Sequence, residues 1–265
     1  MRLCSIASGS SGNCVYVGSD TTHLLLDAGI SGKRVEAGLQ EMGLKMSDID
    51  GIFITHEHAD HISGLGVLAR KYGVPIYGTK GTIEAVRQTR SLGKIDEDLF
   101  RYIRADEKCR VKDVTVYPIR TSHDAAESVA YRVSHDRQKI GVITDLGCYN
   151  EYTVECLKGL DVLYLEANHD VHMLQVGPYP YYLKQRIMGE KGHLSNETAG
   201  RLLSRVLHDH MQAIVLGHLS QENNLPELAY ESVRVEVTMA DVPYSGNDFP
   251  MYVAKRSEVS QMITI

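Results

Sequence analysis

At 265 residues with a formal charge of −6, the chain has no whole-molecule attraction to nucleic acid or to an anionic membrane, so a polyanionic substrate has to be held by a local basic patch or by metal. Its five cysteines (Cys4, Cys14, Cys109, Cys148 and Cys156) are scattered without a close pair, which argues against a disulfide framework and against a thiolate zinc site. No stretch approaches the roughly 18 apolar residues that span a membrane and no long apolar segment follows Met1, so a cytoplasmic location with no membrane partner is expected.

In chain order, short strands separated by turn chemistry are predicted over 3–7, 14–17 and 23–26, the last ending at Asp27-Ala28-Gly29. Another strand is predicted over 51–55, followed by a polar loop. A helix is predicted to open near Ile62-Ser63-Gly64-Leu65 and to close at Tyr72-Gly73, with Gly73 as its C-cap. Then come a strand at 75–77, a helix over 81–92 and a β-rich block at 114–119, 128–133 and 139–144. A helix over 150–160 and a strand at 162–165 follow. The clearest helix starts at Ser195, a good N-cap, with Glu197 in its first turn. Ala199, Leu202, Leu203, Val206 and Leu207 give it an apolar stripe at i, i+3, i+4, i+7 and i+8. A buried strand at 213–216 and a helix opening at Asn224-Leu225-Pro226 complete the series. No repeat, low-complexity tract or linker interrupts it, so one domain spanning 1–265 is expected, with two sheets each covered by helices on its outer face.

The polar loop is His56-Glu57-His58-Ala59-Asp60-His61. Imidazole and carboxylate are the ligands that suit zinc, manganese or iron, and this density of them exceeds what a structural loop needs. In an extended loop His56 and His58 point the same way and can pinch one ion, while Asp60 and His61 lie past the bend beside a second. Other predicted strands also end in a candidate ligand: His123 after 114–119, Asp145 after 139–144 and His218 after 213–216. Singly, His123 or His218 reads as an ordinary hydrogen-bonded histidine and Asp145 as a turn aspartate. Strands of a layered fold end along a common edge, however, and a two-ion site needs more ligands than the loop supplies. The allocation gives His56, His58 and His123 to one ion and Asp60, His61 and His218 to the other, with Asp145 bridging. A hydroxide between two such ions is a nucleophile near neutral pH, and Asp60 would orient it. The implied chemistry is hydrolysis.

The His-x-His-x-Asp-His run, with His123, Asp145 and His218 following in order, resembles the metallo-β-lactamase superfamily. That resemblance implies an αββα sandwich and gives Asp27 a supporting role beneath the ligand loop rather than a place in the ligand set. Five further segments, residues 6–13, 121–127, 166–171, 192–197 and 217–220, look like the YycJ (WalJ) family, with similarity running to about Ala229. The family implies 5'-to-3' exonuclease activity on DNA, a preference for manganese and a bacterial cytoplasmic setting. The expected cofactors are therefore two divalent ions, Mn2+ or Zn2+ with Fe2+ also accepted, and DNA is the expected partner. No stable protein partner is inferable. No β-CASP insert of the larger nucleases is present.

His193, in Gly192-His193-Leu194-Ser195, resembles the non-ligand histidine of related phosphodiesterases such as tRNase Z, which lies near the scissile phosphate. Helix N-termini bind phosphate through free N–H groups, so His193, Ser195 and Asn196 form an expected clamp, and His193 an expected proton donor to the leaving oxygen. A purely packing role for His193 stays open. Glu166, His169 and Asp170 read either as contacts to the site and its substrate or as a structural hydrogen-bond cluster. Residues 8–13 either touch phosphate or form a Gly/Ser hairpin. Lys184, Arg186, Lys191, Arg201 and Arg205 bracket His193 as a candidate basic patch, with Tyr179, Tyr181 and Tyr182 placed to stack on bases. The competing function is hydrolysis of a small cyclic phosphodiester, a thioester or a lactone on the same metals; the carboxyl esters among these need no phosphate clamp.

Overall fold

Alternation of turn residues with runs of β-branched and leucyl side chains builds the first half of the computed structural model, which describes residues 1–265. Strands β1 (Arg2–Ala7), β2 (Cys14–Gly18) and β3 (His23–Leu26) lead into helix α1 (Gly32–Glu41). Next come β4 (Gly51–Phe53), the short α2 (Ala59–Ile62), α3 (Leu65–Tyr72), β5 (Ile76–Gly78) and α4 (Lys80–Gln88). Strands β6 (Phe100–Tyr102), β7 (Cys109–Val111), β8 (Val114–Arg120) and β9 (Val129–His135) follow. The second half runs β10 (Gln138–Ile143), α5 (Glu151–Leu157), β11 (Val162–Glu166), α6 (Val171–Val176), α7 (Tyr181–Met188) and α8 (Asn196–Ser204). It continues with β12 (Ala213–Gly217), α9 (Pro226–Met239) and β13 (Met251–Val253), and β14 (Ile263–Thr264) closes the chain.

The strands form two sheets, in the orders β14-β1-β2-β3-β4-β5-β6 and β13-β12-β11-β10-β9-β8-β7. Both are mixed, and with their helices they make the αββα class expected from sequence. The chain divides into two compact units: Met1–Arg120 with Ala125–Gln138 and Lys255–Ile265, and Thr121–Asp124 with Lys139–Ala254.

In the first unit β1, β2 and β3 pair antiparallel, while β3 through β6 run parallel. Val35 and Leu39 of α1, Leu65 and Leu68 of α3, and Ile83 and Val86 of α4 bury against Ile6, Tyr16, Leu25, Ile52 and Ile76 of that sheet. In the second unit β10, β11, β12 and β13 are parallel. Every residue of β11 and β12 is buried, the pattern of parallel strands covered on both faces. Val154 and Leu157 of α5, the α8 stripe of Ala199, Leu202 and Leu203, and Ala229, Val233 and Val237 of α9 supply its apolar helix faces. No helix is long and apolar enough to cross a membrane.

The structure corrects several sequence expectations. Strand β4 stops at Phe53, and the ligand loop is not extended throughout: Ala59–Ile62 forms a helical turn with His58 as its extended N-cap. Asp60 in that first turn is favourable to the helix dipole. The helix expected over 81–92 breaks at Thr89 into α4 and a 3-10 turn at Arg90–Leu92. Gly73 does cap α3, at φ 63°. The helix expected over 150–160 ends at Leu157, because Gly159 turns at φ 69°. Helix α1 is missed because glycines interrupt it; a Cβ at Gly38 would drive into Ile6, so close approach to β1 requires the glycine.

Candidate metal centre

The ligand loop of the first unit is held by one buried aspartate. Asp27 follows β3 in the left-handed region, at φ 63°. Its Oδ1 accepts from the Thr55 N–H at 2.8 Å and its Oδ2 from the Thr55 hydroxyl at 2.9 Å and from His61 Nδ1 at 2.7 Å. The Thr55 oxygen in turn lies 3.0 Å from His56 Nδ1. This network assigns the Nδ1–H tautomer to both rings and leaves each Nε2 as the lone-pair nitrogen. The rings of His58 and His61 lie 4.5 and 4.2 Å from that of His56, centroid to centroid. His56 and His61 are fully buried, while His58 and Asp60 are partly exposed.

Asn13 holds the turn that carries Asp60. Its backbone N–H and side-chain amide both donate to the Asp60 carbonyl, at 2.8 and 3.3 Å, and the amide reaches Asp60 Oδ2 at 3.4 Å and His61 Nε2 at 3.2 Å. Gly29 permits the same approach, since any Cβ there would overlap the Asp60 carbonyl. Asn13 therefore braces the ligand turn and is buried, at the end of a loop over 8–13 that joins the antiparallel β1 and β2.

The second unit gathers His123, Asp145, His193 and His218 around another buried carboxylate, Glu166 at the end of β11. Glu166 Oε1 accepts from His193 Nδ1 and from His218 Nδ1, each at 2.8 Å, and Oε2 accepts from the Leu146 and Leu194 N–H groups at 3.1 Å. His123 Nδ1 donates to the Gly192 carbonyl at 3.1 Å. Asp145 Oδ1 then lies 3.6 Å from His123 Nε2, 3.6 Å from His193 Nδ1 and 3.8 Å from His218 Nε2. Asp145 and His218 both adopt the left-handed region, at φ 56°. Donor atoms of Asp145, Glu166, His193 and His218 all lie within 4.8 Å of one another.

Electrostatics follow from that geometry. Burial alone would raise the Glu166 carboxyl, but the imidazoles of His193 and His218 outweigh it and hold the group down at about 2. Burial depresses His193, yet the Glu166 carboxylate, helped by Asp145, lifts it above the ordinary histidine value. For His123 burial wins and the imidazole is shifted downward. Burial takes His169 down to about 4.

These donors suit divalent metal ions. They are imidazole nitrogens and carboxylate oxygens with no thiolate among them. Moreover the Nδ1 atoms of His61, His123 and His218 are each fixed on a carboxylate or carbonyl, the arrangement that orients histidine ligands.

Of the predicted substrate contacts, Ser195, Asn196 and His169 are all buried. Ser195 Oγ caps α8 by accepting from the Thr198 N–H. The Asn196 side chain pairs reciprocally with Asn224 at 2.9 and 2.8 Å, and its N–H donates to the His169 carbonyl. His169 Nδ1 lies 3.3 Å from Asn168 Oδ1. The Ser195 hydroxyl, the Asn196 side chain and the Asn196 N–H thus all have partners within the protein. The expected basic patch is also largely engaged: Arg186 pairs with Asp124, Arg205 with Glu151 and Arg201 with Glu236, while Lys184 Nζ donates to two carbonyls. Sequence reading missed Thr55 and Asn13 and left Glu166 ambiguous. The available signal was a carboxylate closing an otherwise apolar strand, which burial obliges to find partners.

Comparison with known proteins gives consistent matches. A family model described as a β-lactamase superfamily domain matches residues 22–218. The chain is 40% identical over 247 residues to Exodeoxyribonuclease WalJ of Streptococcus pneumoniae, covering 93% of this chain and 91% of that protein. It is 42% identical over 228 residues to Exodeoxyribonuclease YycJ of Bacillus anthracis, covering 86% of each. Among solved structures, the metallo-β-lactamase fold protein YhfI from Bacillus subtilis superposes with a TM-score of 0.72 at 17% identity over 98% of both chains, a likeness of fold alone.

Proposed function

Because the chain belongs to the metallo-β-lactamase superfamily and, within it, to the family of the WalJ and YycJ exodeoxyribonucleases, we propose that it is a dinuclear metal-dependent exodeoxyribonuclease that removes nucleotides from a 5' end. The observation that carries this reading is the 40% identity to a relative of that name across nine-tenths of both chains. The ligand roles proposed are His56, His58 and His123 for one ion, Asp60, His61 and His218 for the other, and Asp145 for both. Manganese is the proposed physiological metal; zinc and iron suit the same donors, and occupancy follows availability.

Bound divalent ions supply Lewis-acid stabilisation of the phosphoryl oxygens and lower the pKa of a water. The protein supplies orientation and proton handling. Asp60, fixed by Asn13, is the carboxylate that orients the attacking water. The attacking water releases a proton to solvent as its oxygen bonds to phosphorus, the bond from phosphorus to the leaving 3' oxygen breaks, and that oxygen takes a proton from His193 Nε2. With Nδ1 held on Glu166 at 2.8 Å, His193 presents Nε2 away from the carboxylate and keeps the proton there.

The test is incubation with manganese and a panel of substrates: a 5'-phosphorylated duplex, a single strand, RNA, a cyclic phosphodiester and a thioester. Stepwise release of mononucleotides from the 5' end of DNA is expected. Turnover of the thioester alone, with DNA untouched, would overturn the proposal.

A further inference from the structure

Helix α7 is built to meet something outside the protein. None of its eight residues is buried. Leu183 and Ile187, four apart, form its half-buried underside, while Tyr181, Gln185 and Met188 share one exposed row and Tyr182 and Arg186 another. The two tyrosines are 77% and 74% exposed. Successive helical residues splay by about 100°, so the rings offer two separate faces and do not sandwich one guest. Pro178 and Pro180 restrict the backbone before them, with Pro180 as the N-cap.

This helix is tied to the site. The His193 N–H donates to the Ile187 carbonyl at 3.0 Å, so the last turn of α7 directly positions the proposed proton donor. Arg186 grips both oxygens of Asp124, at 2.5 and 3.1 Å, and Asp124 Oδ1 lies 3.5 Å from His123 Nε2.

Charge points the same way. Residues 171–189 contain no aspartate or glutamate, although the chain carries 34 of them, and they include Lys184 as well as Arg186, whose charge is matched by Asp124. The Lys184 ammonium is held by the Gln175 and Gly177 carbonyls, which fix its position without cancelling its charge. An exposed aromatic pair on an acid-free, cationic segment fits a polyanion with flat, stackable units.

We infer that Tyr181 and Tyr182 form a base-stacking platform that holds unpaired bases of a DNA strand on the helix that positions His193. This deepens the nuclease reading and rests on it. The rings are positioning residues: they fix the strand and leave the chemistry to the site.

The test is steady-state digestion of a 5'-phosphorylated single strand by the manganese enzyme. Stacking on an aromatic side chain is worth about tenfold or more in affinity per base, so Tyr181→Ala/Tyr182→Ala is expected to raise KM by about 100-fold while kcat changes by less than about threefold. Tyr181→Phe/Tyr182→Phe should retain the wild-type KM, because the ring face and not the hydroxyl carries the contact. A strand that is abasic throughout its first several nucleotides should bring the wild type to the alanine pair's KM and leave that pair no worse. An alanine pair matching wild-type KM on intact DNA, or a phenylalanine pair as weak as the alanine pair, overturns the inference alone. So does conversion of a dimer to a monomer, by sedimentation, with the DNA KM unchanged, since a second copy then owns this face. A wild-type enzyme that digests no DNA removes the nuclease reading and this inference with it.

Discussion

Asp27→Asn isolates the contribution of a carboxylate that belongs to no proposed ligand set. The substitution is isosteric, and asparagine tolerates the left-handed conformation that residue 27 adopts at φ 63°. Backbone strain is therefore held constant. The hydrogen bonds are not, because both oxygens face donors: Thr55 N–H at Oδ1, and the Thr55 hydroxyl with His61 Nδ1 at Oδ2. Whichever way the new amide turns, its NH2 group confronts a donor inside a site that is 3% exposed. One charge-assisted hydrogen bond is lost, worth about 1.5–3 kcal/mol, and a buried donor is left unmatched. The apo protein should lose about 2–4 kcal/mol of stability. If the ring escapes by moving its proton from Nδ1 to Nε2, the lone pair that would bind metal is gone. Loss of such a supporting partner typically costs 10–100-fold in metal affinity. Urea unfolding in the presence of chelator reads the first effect, and calorimetric titration with manganese reads the second. Unfolding free energy within about 0.5 kcal/mol of wild type together with unchanged manganese affinity would refute the reasoning.

His193→Ala should keep wild-type metal content and lose about 10²–10⁴ in turnover on DNA; full activity with both ions bound would end the proton-donor role. Glu166→Gln meets the Asp27 problem again, since His193, His218, Leu146 and Leu194 all present donors to it. It should lose both metal affinity and stability, and wild-type manganese binding in the variant would contradict the proposed orientation of His218. For His169, ordinarily 6.5 and held at about 4 by burial, the unfolded chain takes up the proton first as pH falls. Its contribution is complete above pH 6.5 and is lost by about pH 4, roughly 3 kcal/mol in all. Urea unfolding across that window should show this slope in wild type and a flatter one in His169→Gln, and equal slopes would remove His169 from the acid response.

The proposed ligands were legible because the His56 to His61 run is dense and because His123, Asp145 and His218 each follow a strand whose pattern is plain. What escaped was whatever depends on tertiary partners. Nothing in the sequence around Asn13 shows that its amide meets the Asp60 carbonyl, 47 positions away. Asn196 reads as an available N-terminal donor until the His169 carbonyl claims its N–H and Asn224, 28 positions on, its side chain. Arg186 and Arg205 look like a cationic surface until Asp124 and Glu151 pair with them. Helix α1 hid behind Gly32 and Gly38, whose low propensity is overridden by close packing, of Gly32 on Val67 and Leu68 of α3 and of Gly38 on Ile6 of β1. Local pattern located the chemistry, and long-range satisfaction of polar groups decided which side chains remain available for it.

Each unit solves the same orientation problem in the same way. Asp27 holds His61 directly and His56 through the Thr55 hydroxyl; Glu166 holds His193 and His218 on a single oxygen. In both, the second oxygen accepts from backbone N–H, one (Thr55) at Asp27 and two (Leu146 and Leu194) at Glu166, so the rings the carboxylate carries cannot change tautomer without leaving a buried donor unmatched. The turns that deliver these groups are themselves uphill. Asp27, Asp145 and His218 occupy the left-handed region just beyond β3, β10 and β12, at a cost of order 1–3 kcal/mol each for residues other than glycine. Glycine would relieve that strain at all three positions and would remove the carboxylate or imidazole that the position exists to present. The chain thus keeps three strained strand ends, and the two buried carboxylates lock the rings so that the strain yields a fixed donor geometry instead of a mobile loop.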